Sequence, residues 1–305
     1  MFKHKLLISE ANRYLKKGSG LLIALFITIL FFIGVPMIAH KFWPLILGGK
    51  AALQLSYSSF FLIWSLTQHN LLTLVCNTVY FVLYAYEFPA IEKYKANKDT
   101  WPWKKDPAAW RGVLLKSLKV YFLNTNVLPV LVYAPLTYFE AISHHAETIE
   151  AIPSPVQLLV QLLFCMICDD FCFYWLHRLV HLPVLYRFHK MHHEHADSIS
   201  ITAEYAHPFE FLLGGLLPPA IGPAILGHRM HLVSVFAWYL VRVGEAIDQH
   251  SGYEFPFSPY RLLPMSGGSE YHDYHHSVNM GNYGSFFTVW DTIFGTNRAF
   301  NEAKH

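Results

Sequence analysis

The stretch LLIALFITILFFIGVPMIA, residues 21–39, contains no charged side chain. As an α-helix rising about 1.5 Å per residue, it is nearly long enough to cross a hydrocarbon core of about 30 Å. We therefore predict a membrane-spanning helix here. Basic residues precede this stretch but no small-residue cleavage site follows it, so we expect a retained anchor rather than a removable signal peptide.

The rest of the chain has a composition that agrees with this prediction. Of the 305 residues, 53% are hydrophobic and only 14% are charged, whereas an ordinary soluble domain has about 25% charged residues. The net charge is +2, without the concentrated basic face that nucleic-acid binding requires. These values predict an all-α integral membrane protein with no nucleic-acid partner.

The first half of the chain predicts further membrane contacts around one polar loop. Residues 51–86 lack Asp, Glu, Lys and Arg and are too long for one span, so we predict an interfacial or re-entrant piece followed by a helix near 70–86. Residues 87–119 carry eight Lys or Arg residues, which is typical of a cytosolic loop at the membrane surface. The N-terminus is predicted to lie on the same side.

The second half predicts two apolar hairpins. The runs 120–139 and 151–168 flank a polar tip at 143–154, which places the tip on the opposite side and the following histidines in the cytosol. The runs 211–227 and 230–241 are shorter, and glycines and prolines interrupt the first of them. We predict a bent or re-entrant hairpin there rather than two full spans.

Histidines are the most unusual feature, because the chain contains 19 of them. Three clusters show spacings of three or four residues: His177 and His181; His189, His192 and His193; His272, His275 and His276. On a helix, residues three or four apart share a face and could hold one metal ion, whereas adjacent residues point about 100° apart and could bind two different ions. Imidazole suits Zn, Cu, Fe and Ni, and about nine ligands exceed the four of a closed zinc site. The pattern predicts a site for two redox metals.

His250 follows a segment at membrane depth that carries Arg242, Glu245 and Asp248. Ionisable residues at that depth are costly and usually functional. We therefore predict His250 as a further metal ligand, with Glu245 and Asp248 as partners that orient the ligands. A structural salt bridge with Arg242 is the alternative for these carboxylates.

The remaining histidines fall into two classes. His195 and His207 are predicted either to bind metal or to orient the residues that do. The isolated histidines are predicted to be hydrogen-bonded structural residues: His4, His40, His69, His144, His145, His228, His231 and His305.

Six segments together resemble the fatty acid hydroxylase superfamily of membrane di-iron oxygenases: HRLVH (177–181), HKMHHEH (189–195), EYAHPFE (204–210), DQHSGY (248–253), HDYHH (272–276) and GNYGSFFTVWDTIFGT (281–296). EYAHP and HSGY make the chain most similar to the methylsterol monooxygenases, the sterol C4-methyl oxidases of the endoplasmic reticulum. Leu182 and Tyr271 depart from that pattern, because these enzymes often carry an extra histidine at each position.

The resemblance implies a function and a division of the chain. Two iron ions would be held by His177, His181, His189, His192, His193, His250, His272, His275 and His276. With O2 and electrons from a donor such as cytochrome b5 or an NAD(P)H-dependent reductase, the enzyme would oxidise a sterol C4-methyl group to alcohol, aldehyde and acid. It would be a multi-pass protein of the endoplasmic reticulum membrane, with the metal site in the cytosol. Residues 1–119 would form the anchor helices and basic loop, and residues 120–305 the di-iron domain.

Two other hypotheses remain open at this point. The same site could act as a hydroxylase, desaturase or dealkylase at another sterol position or on another lipid, because a fold does not determine its substrate. Alternatively, the histidines could line the path of a metal transporter, in which case the ligands would lie at several depths along spanning helices.

Overall fold

The computed structural model describes residues 18–96, 100–138, 145–195 and 198–304. Within these residues the structure is nearly all helical, without a strand, which confirms the predicted fold class. Four segments are long and apolar enough to cross a membrane: Ser19–Ala52, Tyr57–Tyr86, Pro155–Val180 and Pro208–Arg229. The basic residues before residue 18, and His4, His144 and His305, lie outside the described residues. The division at residue 119 stays a prediction.

The helices follow one another with short connections. In chain order they are α1 Ser19–Ala52, α2 Tyr57–Tyr86, α3 Pro89–Glu92, α4 Pro102–Lys105, α5 Pro107–Phe122, α6 Leu128–Tyr138, α7 Pro155–Val180, α8 Pro183–His189, α9 Pro208–Glu210, α10 Leu217–Leu226, α11 Leu232–Gln249, α12 Ser269–Val278, α13 Val289–Phe294 and α14 Arg298–Ala303. Two π-helical segments, Leu123–Val127 and Phe211–Leu216, join α5 to α6 and α9 to α10.

The first two helices both have the apolar surface of membrane spans. Helix α1 contains the predicted span and extends beyond it to Ala52. Helix α2 is continuous from Tyr57 to Tyr86, so the predicted break before residue 70 is wrong. The physical reason is that this range contains no Gly or Pro, and Ser56 caps its start by accepting a hydrogen bond from the Ser59 backbone N–H at 3.1 Å.

The long helices begin and end at the same two ends of the helical bundle. At the far end, which residues 145–155 and 227–232 form, the His145 backbone N–H donates to the Tyr57 hydroxyl at 2.8 Å, and Lys50 pairs with Glu147 at 2.7 Å. At the opposite end, which we call the histidine end, the Tyr84 hydroxyl donates to the Ser251 carbonyl at 2.8 Å. Helices α2, α7 and α11 therefore all run from the far end to the histidine end.

The chain from Pro208 to Gln249 forms a hairpin that differs from the predicted one. Its first limb descends from Glu210, beside the histidines, to Gly227, whose carbonyl contacts His145 Nδ1 at 2.9 Å at the far end. Its second limb, α11, returns to His250. Each limb extends from one end of the bundle to the other, so of the two predicted alternatives, a bent or a re-entrant hairpin, the re-entrant one is wrong. The glycines and prolines are accommodated by the π-helical segment and by close packing instead of by a reversal.

Close packing of α10 on α7 depends on a glycine. A Cβ atom on Gly222 would lie 2.7 Å from the Cys165 Cα atom, closer than real Cβ contacts allow. By contrast, Gly48 in α1 is exposed and has no neighbouring atom within 4 Å of the same position. The two glycines therefore form a matched pair for testing the packing.

We expect Gly222→Ala to destabilise the protein by about 1–3 kcal/mol, because the methyl group meets the α7 backbone. Gly48→Ala should be neutral or stabilise by up to about 1 kcal/mol, because alanine has the better helix propensity. Thermal unfolding in detergent, followed by circular dichroism, measures both. Equal stability of the two variants would contradict the packing described here.

Candidate metal centre

The nine predicted ligands converge in two groups at the histidine end. The five-histidine group consists of His177, His181, His189, His193 and His275, and the four-histidine group of His192, His250, His272 and His276. Within each group the candidate ligand atoms lie within 4.8 Å of one another. The adjacent pairs are divided between the groups, which is the division that the sequence spacing predicts. Their role as ligands stays a prediction.

Helix ends place these side chains. His177 lies in the last turn of α7 and His181 caps its C-terminus, while His250 caps the C-terminus of α11. Each helix C-terminus carries a partial negative charge, which favours a cation nearby. His272, His275 and His276 project from α12, and the short turn His192–Glu194 follows α8. The centre is thus assembled from four separate parts of the chain.

The ring nitrogens in both groups have the spacing of ligands around one ion. In the five-histidine group, His189 Nε2 lies 2.9 Å from both His181 Nε2 and His193 Nε2. In the four-histidine group, His272 Nε2 lies 2.9 Å from His250 Nε2 and 3.1 Å from His276 Nε2. Two nitrogens bound at about 2.1 Å to one ion are about 3.0–3.4 Å apart for bond angles of 90–109°. The donor set therefore fits a metal ion in each group.

Hydrogen bonds at the other ring nitrogen orient several of these imidazoles. Nδ1 of His177 contacts the Tyr283 carbonyl at 3.0 Å, Nδ1 of His250 the Ala246 carbonyl at 2.8 Å, and Nδ1 of His275 a carbonyl at 2.6 Å. A carbonyl oxygen only accepts, so the proton is on Nδ1 and the lone pair is on Nε2. This arrangement leaves Nε2 free for metal, and Nε2 of His177 is buried without a hydrogen-bond partner in the part of the chain that the structure describes.

Burial also keeps the rings neutral. Desolvation lowers the pKa of His192 to about 4 and the pKa of His193 to about 2. The pKa of His250 falls to about 3, because of desolvation first and the nearby His192 second. At pH 7 these imidazoles are unprotonated, which is the form that binds metal ions.

Glu210 is a site residue that sequence reasoning missed. Its carboxylate accepts a hydrogen bond from His189 Nδ1 at 2.6 Å, and both side chains are buried. A carboxylate behind a ligating histidine fixes the ring and increases its basicity. The available signal was a single acidic residue three positions after His207, at the start of an apolar segment.

Glu245 and Asp248 pair with arginine side chains, and their predicted role as partners that orient the ligands stays a prediction. Arg242 binds Glu245 at 3.0 Å and Asp169 of α7 at 3.1 Å, while Arg261 binds Asp248 at 2.5 Å. The salt bridge to Arg242, the alternative for Glu245, is present. A buried carboxylate needs a charged partner, and these arginines supply it.

His195 and His207 lie outside both groups. His195 packs its ring 4.8 Å from the Tyr205 ring, and its Nε2 is buried without a partner among the described residues. His207 caps α9 by accepting a hydrogen bond from the Phe209 backbone N–H at 3.1 Å. Among the histidines predicted to be structural, His231 likewise caps α11.

A largely apolar cavity of about 190 Å³ adjoins both groups. His177 and His189 contribute to its wall from one group, and His192 and His250 from the other. Most other wall residues are apolar, for example Leu66, Leu72, Phe173, Val180, Phe211 and Val243. A long apolar molecule could therefore reach both candidate metal positions.

The comparisons with known proteins agree with this site. The model of the fatty acid hydroxylase family matches residues 162–296, which contain all nine histidines. A methylsterol monooxygenase of Arabidopsis thaliana is 36% identical over 218 residues, which cover 70% of this chain and 77% of that protein. The chain belongs to the fatty acid hydroxylase family.

Other relatives of this chain differ from one another in the activity that their names give. A very-long-chain aldehyde decarbonylase of Oryza sativa is 36% identical over 254 residues, 79% of this chain and 91% of that protein. A putative methylsterol monooxygenase of Dictyostelium discoideum is 41% identical over 191 residues, 61% of this chain and 68% of that protein. No solved structure gives a significant match. The predicted resemblance is confirmed, and membership of this family together with the monooxygenase relatives identifies an oxidoreductase.

We expect Glu210→Leu to weaken metal binding in the five-histidine group about 10–100-fold, because His189 loses the partner that orients it. Glu210→Gln keeps an oxygen acceptor and should weaken binding less. Chelator competition, read by metal analysis of the purified variants, measures both affinities. Equal weakening at both metal positions, or none at either, would contradict the assignment of Glu210 to one group.

Proposed function

We propose that the chain binds two iron ions, one in each histidine group, and uses O2 to oxidise the C4-methyl group of a sterol. The observation that carries this proposal is the apolar cavity that adjoins both groups. A sterol is a rigid apolar lipid, and such a cavity would hold it with one end beside the candidate metal positions. The methylsterol monooxygenases among the relatives support the choice of substrate.

The residues are compatible with iron because both groups supply neutral imidazole nitrogens, which bind Fe as well as Zn, Cu and Ni, and the family relatives named as monooxygenases favour iron among these metals. Bound iron would supply the oxidation of an unactivated carbon–hydrogen bond with O2, which no amino-acid side chain can perform. Around it, Glu210 and the backbone carbonyls would hold the imidazoles in position. The apolar wall would exclude water and orient the methyl group. Repeated oxidation of the same methyl group would give the alcohol, the aldehyde and the acid.

The proposal requires electrons from outside the chain. We infer a donor such as cytochrome b5 or an NAD(P)H-dependent reductase, acting on the cytosolic face of the endoplasmic reticulum membrane. Exposed Lys105 and the nearby Arg111 lie at the histidine end of the fold and could meet an acidic donor or anionic lipid headgroups.

A second candidate substrate is a very-long-chain aldehyde. A relative that aligns with 79% of this chain at 36% identity carries the name aldehyde decarbonylase. A long acyl chain would also suit an apolar cavity. Oxidation at another position of a sterol is a further alternative, because a fold does not determine its substrate. The transporter hypothesis is weakened, since both histidine groups lie at one end of the bundle instead of at several depths.

We expect the intact chain to remove 4,4-dimethylsterol from cells that lack their own C4-methyl oxidase. His275→Ala should leave this sterol in place, because it removes a ligand of the five-histidine group. Sterol profiling by mass spectrometry measures the result, with His228→Ala at the exposed far end as the matched control.

Persistence of 4,4-dimethylsterol with the intact, iron-loaded chain would contradict the proposed substrate. Consumption of a very-long-chain aldehyde in the same cells would then favour the second candidate. Equal activity of His275→Ala and the intact chain would contradict the role of the metal centre itself.

A further inference from the structure

One titratable pair on the cavity wall has no part in either histidine group. His69, from the middle of α2, binds Glu204 through Nε2, at 2.8 Å from one carboxylate oxygen and 3.1 Å from the other. Both side chains line the same cavity as the histidine groups. The sequence predicted an isolated structural role for His69. A charged pair on the wall of a largely apolar cavity calls for a different explanation, because such groups are costly to bury.

The pair is close to the metal centre along the chain. Glu204 directly precedes Tyr205, whose carbonyl contacts His192 Nδ1 at 3.2 Å. Asn124 holds this segment by donating to the Glu204 carbonyl at 3.3 Å and to the Ala206 carbonyl at 2.8 Å. Glu204 is therefore anchored through its backbone, and its side chain lines the cavity.

Further hydrogen-bonding capacity surrounds the pair. Ser65 lies one turn before His69 on the same face of α2, also lines the cavity, and its Oγ has no partner among the described residues. Gln68 shows the contrast: its side-chain amide donates to the Phe236 carbonyl at 2.7 Å and accepts from Trp64 at 3.2 Å. Gln68 is thus a structural contact, whereas Ser65 and the Glu204 carboxylate keep free acceptor positions.

We propose that Ser65, His69 and Glu204 form a polar subsite that binds a hydroxyl group of the lipid substrate and so sets which carbon faces the histidine groups. The hydroxyl hydrogen is donated to the Glu204 carboxylate, which His69 holds through its Nε2–H, and the hydroxyl oxygen accepts from the Ser65 hydroxyl. This inference rests on the proposed function for the lipid substrate. It adds the place where the hydroxyl group of that substrate binds. These residues are positioning residues and do not contact the metal positions.

The test measures binding without turnover. The iron-loaded protein in lipid nanodiscs, without O2 or an electron donor, is titrated with a 4,4-dimethylsterol that has a free 3-hydroxyl and with its 3-methyl ether. We expect the intact protein to prefer the free hydroxyl. His69→Leu and Glu204→Leu should each reduce that preference at least about tenfold, or about 1.4 kcal/mol.

Three variants control for structural effects. Thr67→Leu changes an exposed residue of the same helix that does not line the cavity, and it should keep the full preference. His69→Gln and Glu204→Gln retain hydrogen-bonding groups and should keep part of it. In turnover measurements, the Leu substitutions should raise KM for the sterol with a free 3-hydroxyl more than they lower kcat.

The same preference in the intact protein and both Leu variants would overturn the proposal, as would equal binding of the two sterols by the intact protein. Loss of bound iron in the Leu variants, with unchanged preference in the Gln variants, would show a structural tether between α2 and residue 204 and would also overturn it. A clear hydroxyl preference without oxidation of the sterol would contradict the proposed function and leave the subsite supported.

Discussion

The packing of nine imidazole rings with their Nε2 atoms turned inward is the constraint on which the rest of the structure depends. Because His189 Nδ1 donates to Glu210, its Nε2 carries a lone pair, which lies 2.9 Å from Nε2 of both His181 and His193, and that lone pair can accept a hydrogen bond from only one of them. Buried polar atoms without partners are destabilising. A cation in each group removes that penalty, so metal binding would also stabilise the meeting point of α7, α11 and α12.

The surrounding fold places both histidine groups at one end of the helical bundle. Backbone carbonyls and Glu210 orient the rings from behind, while the buried salt bridges of Arg242 join α7 to α11 below them. These contacts leave the inner faces of both groups open to the cavity. Metal ions in both groups would lie beside an apolar cavity, which is the arrangement that the proposed oxidation of a membrane lipid requires.

Much of the site could be predicted from local spacing, because the positions of His272, His275 and His276 on one helix determine which rings point together. Features that depend on tertiary contacts could not. Glu210 is paired with a histidine 21 residues away in sequence, and Asp248 is paired with Arg261, which lies beyond the end of its own helix. The hairpin from Pro208 to Gln249 was predicted as bent or re-entrant because glycines and prolines usually break helices, but here they permit close packing against α7.

The most direct test of the central claim is iron K-edge X-ray absorption, combined with Mössbauer spectroscopy, on the protein reconstituted with ⁵⁷Fe. The account predicts two iron ions per chain, each coordinated mainly by imidazole nitrogens at about 2.0–2.2 Å. A single iron per chain, or a coordination sphere dominated by carboxylate oxygen or sulfur, would contradict it.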